Sequence, residues 1–130
     1  IKASTSEMEE CDVVVPRNHV AEFVKYTKQV ERDVGVRLSG FGHAGDGNLH
    51  VYVLRDDVDP ETYARKLNEA FDLLYAKARA LGGQVSGEHG IGFAKKAFLA
   101  ESLGEVSMDL LRSIKRAFDP NGILNPGKVC

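Results

Sequence analysis

The sequence has no apolar run near the roughly 20 residues that a membrane-spanning helix needs, and no basic stretch followed by an apolar one that would predict a signal peptide. Cysteine is scarce, because Cys11 and Cys130 are too few for a disulfide framework and are expected to be free thiols. The net charge of −2 comes with scattered basic residues, which argues against nucleic acid as a partner. These absences indicate a cytoplasmic protein, with at most a peripheral place at the inner membrane face through its partners.

The composition that remains is that of an ordinary globular domain, with 43% hydrophobic and 28% charged residues in a chain of 130. We expect a single domain over residues 1–130. Because the chain begins at Ile1 and reaches a regular pattern almost at once, we also expect it to be a piece of a longer polypeptide.

Hydrophobic spacing alternates along the chain between a period of two, typical of strands, and steps of three and four, typical of helices. Asn18 and Asp59 are the expected N-caps of two helices. The predicted strands are 11–15, 36–42, 48–54 and 84–86, and the predicted helices between them are 18–34 and 59–81. This order predicts an α+β fold, a ferredoxin-like β-α-β-β-α-β sandwich with an antiparallel sheet. Additional C-terminal helices are predicted at 93–103 and 106–118, separated by Gly104, with Leu110, Leu111, Ile114 and Phe118 as the buried face of the second.

The segment from Gly42 to His50 is the most informative part of the chain. Asp46-Gly47 between two predicted strands indicates a two-residue hairpin turn, in which both residues have positive φ. That turn would place His43 directly opposite His50 on one face of the sheet, with Cβ atoms about 4.5–5.5 Å apart. Two imidazoles at that separation can bind one metal ion.

A third ligand is predicted in the glycine-rich segment from Ser86 to Gly92, which carries Glu88 and His89. Two histidines and a carboxylate with one open position are typical of a catalytic zinc site. A single strand histidine is more often a hydrogen-bonded structural residue, and a carboxylate in a glycine-rich turn is as often solvated as functional. No glycine-rich nucleotide loop and no nucleophilic serine motif accompanies these residues. A stand-alone metal-binding module without redox activity and a metal-assisted hydrolase with Glu88 as base therefore stay open.

Three ordered motifs resemble those of a known family. They are Phe41-Gly-His-Ala-Gly-Asp-Gly-Asn-Leu-His50, Gly87-Glu-His-Gly-Ile-Gly92, and Phe118-Asp-Pro followed by Ile123-Leu-Asn-Pro-Gly-Lys128. The chain resembles, over nearly its whole length, the C-terminal domain of the FAD-linked oxidases, a vanillyl-alcohol-oxidase-like family of flavoproteins. That family includes D-lactate dehydrogenases, glycolate oxidase subunits and D-2-hydroxyglutarate dehydrogenases.

The resemblance implies a role for each motif residue. His43, His50 and Glu88 match the ligands of a divalent metal, which could be zinc, manganese or iron. His89 matches the general base, and Asn48 falls where members of the family contact substrate. Asn125 and Lys128 resemble residues that lie near the flavin.

The resemblance also implies the reaction, which is oxidation of a small 2-hydroxy acid to the 2-oxo acid with FAD as the hydride acceptor. In the family, FAD is bound mainly by an N-terminal domain that this chain lacks, and a substrate-binding arginine also lies upstream. We therefore expect the chain alone to be inactive. A quinone, an electron-transfer flavoprotein or an iron–sulfur subunit are the expected electron acceptors.

Overall fold

The structure, a computed structural model, describes residues 2–130. It is an α+β protein with one small antiparallel sheet. The strands are β1 (Met8–Val14), β2 (Arg37–His43) and β3 (Asn48–Leu54), and the helices are α1 (Val20–Val34), α2 (Pro60–Ala80) and α3 (Lys96–Phe118). Short 3₁₀ turns at Lys2–Ser4 and Arg17–His19 precede β1 and α1.

The sheet has the order β1-β3-β2, and both strand pairs are antiparallel. Its central strand, β3, has the bounds that the sequence predicts, and residues on both of its faces are buried. Leu49 and Val51 lie beside Phe23 of α1 in an apolar groove, so this face of the sheet meets the helices. Side chains two residues apart on a strand share a face, which leaves His50 and Tyr52 on the opposite, polar face.

The ends of the first two helices test the predicted caps. Asp59 is the N-cap of α2 as predicted, because its side chain accepts a hydrogen bond of 2.9 Å from the backbone N–H of Thr62. The prediction for Asn18 is wrong, since Asn18 lies within the 3₁₀ turn and α1 begins at Val20. The N-cap is His19, so the helix begins one residue later than an Asn18 cap would indicate.

The fourth predicted strand, 84–86, is reduced to a single antiparallel bridge between Gln84 and Val14 on the outer edge of β1. Beyond Gln84, the chain forms hydrogen bonds with a side chain instead of with the strand. Ser86 Oγ and the N–H of Gly87 both donate to the carboxylate of Asp12. These bonds replace the ladder that would have continued the strand.

The chain forms two compact units, of which the first extends to Glu88 and the second is His89–Cys130. The second contains α3, where Gly104 is non-helical (φ 74°, ψ 167°), so the two helices predicted around Gly104 are confirmed as two arms of one kinked element. The predicted buried face of the second arm is wrong, because Leu110 is 63% exposed and Phe118 is 82% exposed. An apolar stripe identifies the face suited to burial, but the structure buries Leu99 and Met108 of this helix instead.

None of the helices in residues 2–130 combines the length and the apolar character that crossing a membrane requires.

Candidate metal centre

The hairpin between β2 and β3 has a different register from the predicted one. Its loop contains four residues, 44–47, so His43 pairs with Asn48 and His50 pairs with Phe41. The N–H groups of Asp46 and Gly47 both donate to the carbonyl of His43, at 2.9 and 3.0 Å. Only Gly47 of the two has positive φ, at 77°.

Contact with the end of β1 explains the longer loop. The carbonyl of Gly47 accepts a hydrogen bond of 2.9 Å from the N–H of Val15, and a Cβ atom built on Gly47 would lie 1.9 Å from the carbonyl oxygen of Val15. The predicted register ignored this tertiary contact. The error is two residues, however, and a shift of two residues leaves every side chain on its predicted face.

His50 occupies the middle of the polar face of the sheet and is buried. Its two ring nitrogens meet different carboxylates. Nδ1 lies 2.7 Å from Oε1 of Glu10, and Nε2 lies 3.1 Å from Oε1 of Glu88. The ring is therefore oriented on one side by β1 and faces the predicted third ligand on the other.

His43 lies at the end of β2, where it is exposed and its ring is 6.2 Å from that of His50, centroid to centroid, at nearly a right angle. One possible ligand atom each from His43, His50 and Glu88 all lie within 4.8 Å of one another. The structure thus brings the three predicted metal ligands together within the first unit. His43 and His50 are diagonal neighbours across the hairpin and are not paired directly opposite each other.

Asn48, the predicted substrate contact, lies next to this cluster and is only 6% exposed. Its Oδ1 is buried and has no hydrogen-bond partner among the described residues. A Cβ atom on Gly87 would lie 2.1 Å from this oxygen, so the glycine allows the loop before Glu88 to approach Asn48. A buried amide oxygen without a donor is costly, and an ordered water or a bound group that donates a hydrogen bond would satisfy it.

Glu10 and Asp12 of β1 are two site residues that the sequence interpretation missed. Glu10 falls outside the predicted strand 11–15, and acidic residues near a strand end are ordinarily solvated. The available signal was their spacing of two, which places both on the polar face once β1 is known to begin at Met8.

Aromatic rings cover the exposed side of the same face. The rings of Phe41 and Tyr52 stack at 5.6 Å, and Phe41 lies 5.5 Å from the ring of His50. The hydroxyl of Tyr52 donates to Oε2 of Glu10 at 3.0 Å. Burial, followed by this hydrogen bond to a carboxylate, raises the pKa of Tyr52 above its ordinary value, so the hydroxyl keeps its proton.

The remaining predicted site residues belong to the second unit. His89 directly follows Glu88 and is exposed. Asn125 is exposed with a φ of 46°, and its carbonyl accepts a hydrogen bond of 3.3 Å from the N–H of Lys128. The ammonium of Lys128 lies 5.4 Å from the ring centroid of Phe93. Asn125 and Lys128 line one groove of about 450 Å³ beside α3, so the structure brings these two together.

Comparisons with known proteins agree with the motifs. Residues 1–129 match the family described as FAD linked oxidases, C-terminal domain. A D-lactate dehydrogenase of Anaerostipes hadrus is 51% identical over 130 residues, which is 100% of this chain and 27% of the relative. The glycolate oxidase subunit GlcD of Bacillus subtilis is 38% identical over 91% of this chain and 25% of its own length. A D-2-hydroxyglutarate dehydrogenase of Stutzerimonas stutzeri is 32% identical over 85% of this chain and 25% of its own length. The chain thus spans about a quarter of the length of these relatives.

Proposed function

Because the chain belongs to the C-terminal domain family of the FAD-linked oxidases, we propose that it is the substrate- and metal-binding part of a FAD-dependent dehydrogenase. The proposed reaction oxidises a small 2-hydroxy acid of the lactate or glycolate type to the 2-oxo acid. The convergence of His43, His50 and Glu88 to within 4.8 Å is the observation that carries the proposal. The names of the two relatives at 51% and 38% identity support the choice of substrate class.

The residues present suit a divalent metal such as zinc, manganese or iron. Two imidazoles and one carboxylate form a typical catalytic donor set, which leaves a position for substrate. The contact of His50 Nδ1 with Glu10 leaves Nε2 as the coordinating atom. A metal held there would act as a Lewis acid toward the bound substrate.

The side chains of this chain would do the rest of the binding and the proton transfer. We assign Asn48 to the substrate, since its buried amide can orient a bound hydroxyl or carboxylate. His89 is assigned as the general base through the resemblance of its motif, and in neutral form it would take the hydroxyl proton of the substrate. FAD, when bound, would accept the hydride from the carbon that bears the hydroxyl, which leaves the 2-oxo acid.

The whole enzyme would need more than this chain. We propose that FAD is bound mainly by a separate N-terminal domain, and that Asn125 and Lys128 lie near the flavin. A quinone, an electron-transfer flavoprotein or an iron–sulfur subunit would reoxidise it.

We also propose a ferredoxin-like topology for the sheet. The order β1-β3-β2, extended by the antiparallel bridge of Gln84 to Val14 on the far side of β1, supports that arrangement.

Metal binding to the purified protein tests the proposal. Replacement of His43, His50 or Glu88 by alanine should weaken zinc or manganese binding by more than the roughly 10–100-fold that loss of an outer-shell contact causes. Titration in competition with a chelator would measure the dissociation constants. His19→Ala is the matched control, because His19 lies in the turn before α1 and pairs with Glu22 at 3.0 Å. If the His43 and His50 variants bind as tightly as the control, the ligand assignment is wrong.

A further inference from the structure

Two carboxylates of β1 lie next to the candidate ligands, and neither belongs to the predicted ligand set of His43, His50 and Glu88. We propose that Glu10 and Asp12 are positioning residues: Glu10 fixes the ring of His50, and Asp12 fixes the loop that carries Glu88. The inference rests on the proposed metal site and deepens it. It assigns to one strand the task of holding two ligands that are far apart in sequence.

Glu10 is held at both of its oxygens. Oε1 lies 2.7 Å from Nδ1 of His50, and Oε2 accepts a hydrogen bond of 3.0 Å from the hydroxyl of Tyr52. When the carboxylate is ionised it only accepts hydrogen bonds, so Nδ1 is the donor, and a neutral ring in this tautomer has its lone pair on Nε2. Glu10 thereby selects the tautomer that coordinates metal through Nε2.

The other side of the ring also faces a carboxylate. Nε2 of His50 and Oε1 of Glu88 lie 3.1 Å apart, a distance that either a proton on Nε2 or a shared cation can bridge. Two donors bonded to one ion at about 2.0–2.2 Å can have such a separation. A divalent cation there would take the place of a proton on Nε2 and bond to both atoms.

Asp12 performs the second task through the backbone. It is 1% exposed, and its carboxylate accepts hydrogen bonds from Ser86 Oγ at 2.7 Å and from the N–H of Gly87 at 3.1 Å. The N–H of Glu88 lies 3.4 Å from Asp12 Oδ2. A buried carboxylate needs such donors, and satisfying it fixes the loop at the residue that carries the ligand. Loss of the charge would free that loop.

The first test compares adjacent residues of β1. Glu10→Ala should weaken zinc binding by about 10–100-fold, because the ring of His50 loses its fixed orientation and tautomer. Glu10→Gln, whose amide oxygen can still accept from Nδ1, should restore part of the affinity. Glu9→Ala is the matched control, since Glu9 is exposed on the other face of the same strand. Zinc affinity is measured on the full chain by competition with a chelator.

A second measurement separates positioning from general damage to the fold. In the metal-free protein, ¹⁵N NMR should show Nδ1–H as the tautomer of His50, and Glu10→Ala should remove that preference. A variant that merely loosened the fold would lower the melting temperature without a specific change at this ring. If Glu10→Ala keeps both the wild-type tautomer and the affinity of the Glu9 variant, the role of Glu10 is wrong.

Asp12 is tested by a double-mutant cycle, because it is buried and its replacement will also affect stability. Asp12→Asn should weaken zinc binding, and the effect should vanish in a Glu88→Ala background, where no ligand remains to be positioned. Ser86→Ala, which removes one hydrogen bond to Asp12, is the milder second variant. Equal losses with and without Glu88 would contradict the proposal.

The outcomes also separate this inference from the proposed function. If the wild-type protein binds no zinc or manganese, the metal site and the positioning roles fail together. If the wild type binds but the Glu10 and Asp12 variants bind equally well, only the positioning roles fail.

Discussion

Gly87 and Asn48 show how closely the parts of the candidate site approach each other. A Cβ atom on Gly87 would lie 2.1 Å from Oδ1 and 2.6 Å from Cγ of Asn48, and Asn48 is buried. Neither atom lies at the end of a long, flexible chain. The loop before Glu88 therefore has no room for a larger residue at this position.

We accordingly expect Gly87→Ala to destabilise the protein by about 1–3 kcal/mol, the typical cost of overpacking, and to weaken metal binding by displacing Glu88. Urea unfolding and zinc titration measure the two effects. Gly45→Ala is the matched control, because no heavy atom lies within 4 Å of a Cβ at Gly45. Its unfolding free energy should stay within about 0.5 kcal/mol of the wild-type value. Equal stability of the two variants would show that the close approach is absent in solution.

At the residue scale, the sequence predicted which candidate ligands cluster, but not the pairing of the two histidines across the hairpin. Residue type and motif were sufficient to select His43, His50 and Glu88. The direct pairing of the two histidines was wrong, because the rule for two-residue turns does not include the contact between Gly47 and Val15. Glu10 was missed because its role depends on its contact with His50, 40 residues further along the chain.

At the scale of the elements, one carboxylate at the end of α3 links the helix to the segment that follows it. Asp119 is buried, and its side chain accepts hydrogen bonds from the N–H groups of Ile123 and Leu124 at 3.0 and 2.9 Å. It also pairs with Lys115 one turn earlier. This hydrogen bond from Lys115, together with the backbone N–H groups and against the effect of burial, lowers the pKa of Asp119 below its ordinary value.

A carboxyl group whose pKa is lower in the folded state stabilises that state above its unfolded pKa of about 3.9, and the contribution is lost as the pH falls through the folded value. We therefore expect the amides of Ile123 and Leu124 to remain protected at neutral and mildly acidic pH and to lose protection below that range. Hydrogen exchange followed by NMR measures this.

Asp119→Asn should remove the pH dependence of the hydrogen-exchange protection of these two amides. Asp109→Asn is the control, because Asp109 is an exposed carboxylate of the same helix that pairs with Arg112 at 2.8 Å. If these amides of the wild-type protein stay protected in strong acid, the ionised carboxylate of Asp119 is not what protects them.

Element prediction succeeded where local signals and tertiary contacts agree. The Asp59-Pro60 start of α2, the break at Gly104 and the bounds of β3 all appear as predicted. The strand predicted at 84–86 is reduced to one bridge because Asp12 supplies its hydrogen bonds, which no local pattern reveals.

For the whole molecule, the chain is one part of a larger catalytic arrangement in the proposed function. It has no glycine-rich nucleotide loop, whereas the proposed hydride transfer requires a flavin. We therefore expect the 130-residue chain supplied with FAD to oxidise no 2-hydroxy acid.

A chimera provides the positive counterpart. The A. hadrus D-lactate dehydrogenase is 51% identical to the whole of this chain, so we expect this chain to fold in place of the corresponding quarter of that enzyme. The chimera should bind FAD and reduce a dye with D-lactate, and its His50→Ala version should bind FAD without turnover. Dye reduction by the isolated chain, or full activity of the His50→Ala chimera, would contradict the proposal.

The register of the hairpin has a consequence for insertions and deletions between β2 and β3. Paired residues of antiparallel strands share a face, and here the partners His43 and Asn48 place His50, two residues further, on that face too. A change that slides the pairing by an even number of residues keeps both histidines on the polar face, whereas an odd slide turns one of them toward the helices. For the candidate site, the size of such a slide thus matters less than whether the number of residues is even or odd.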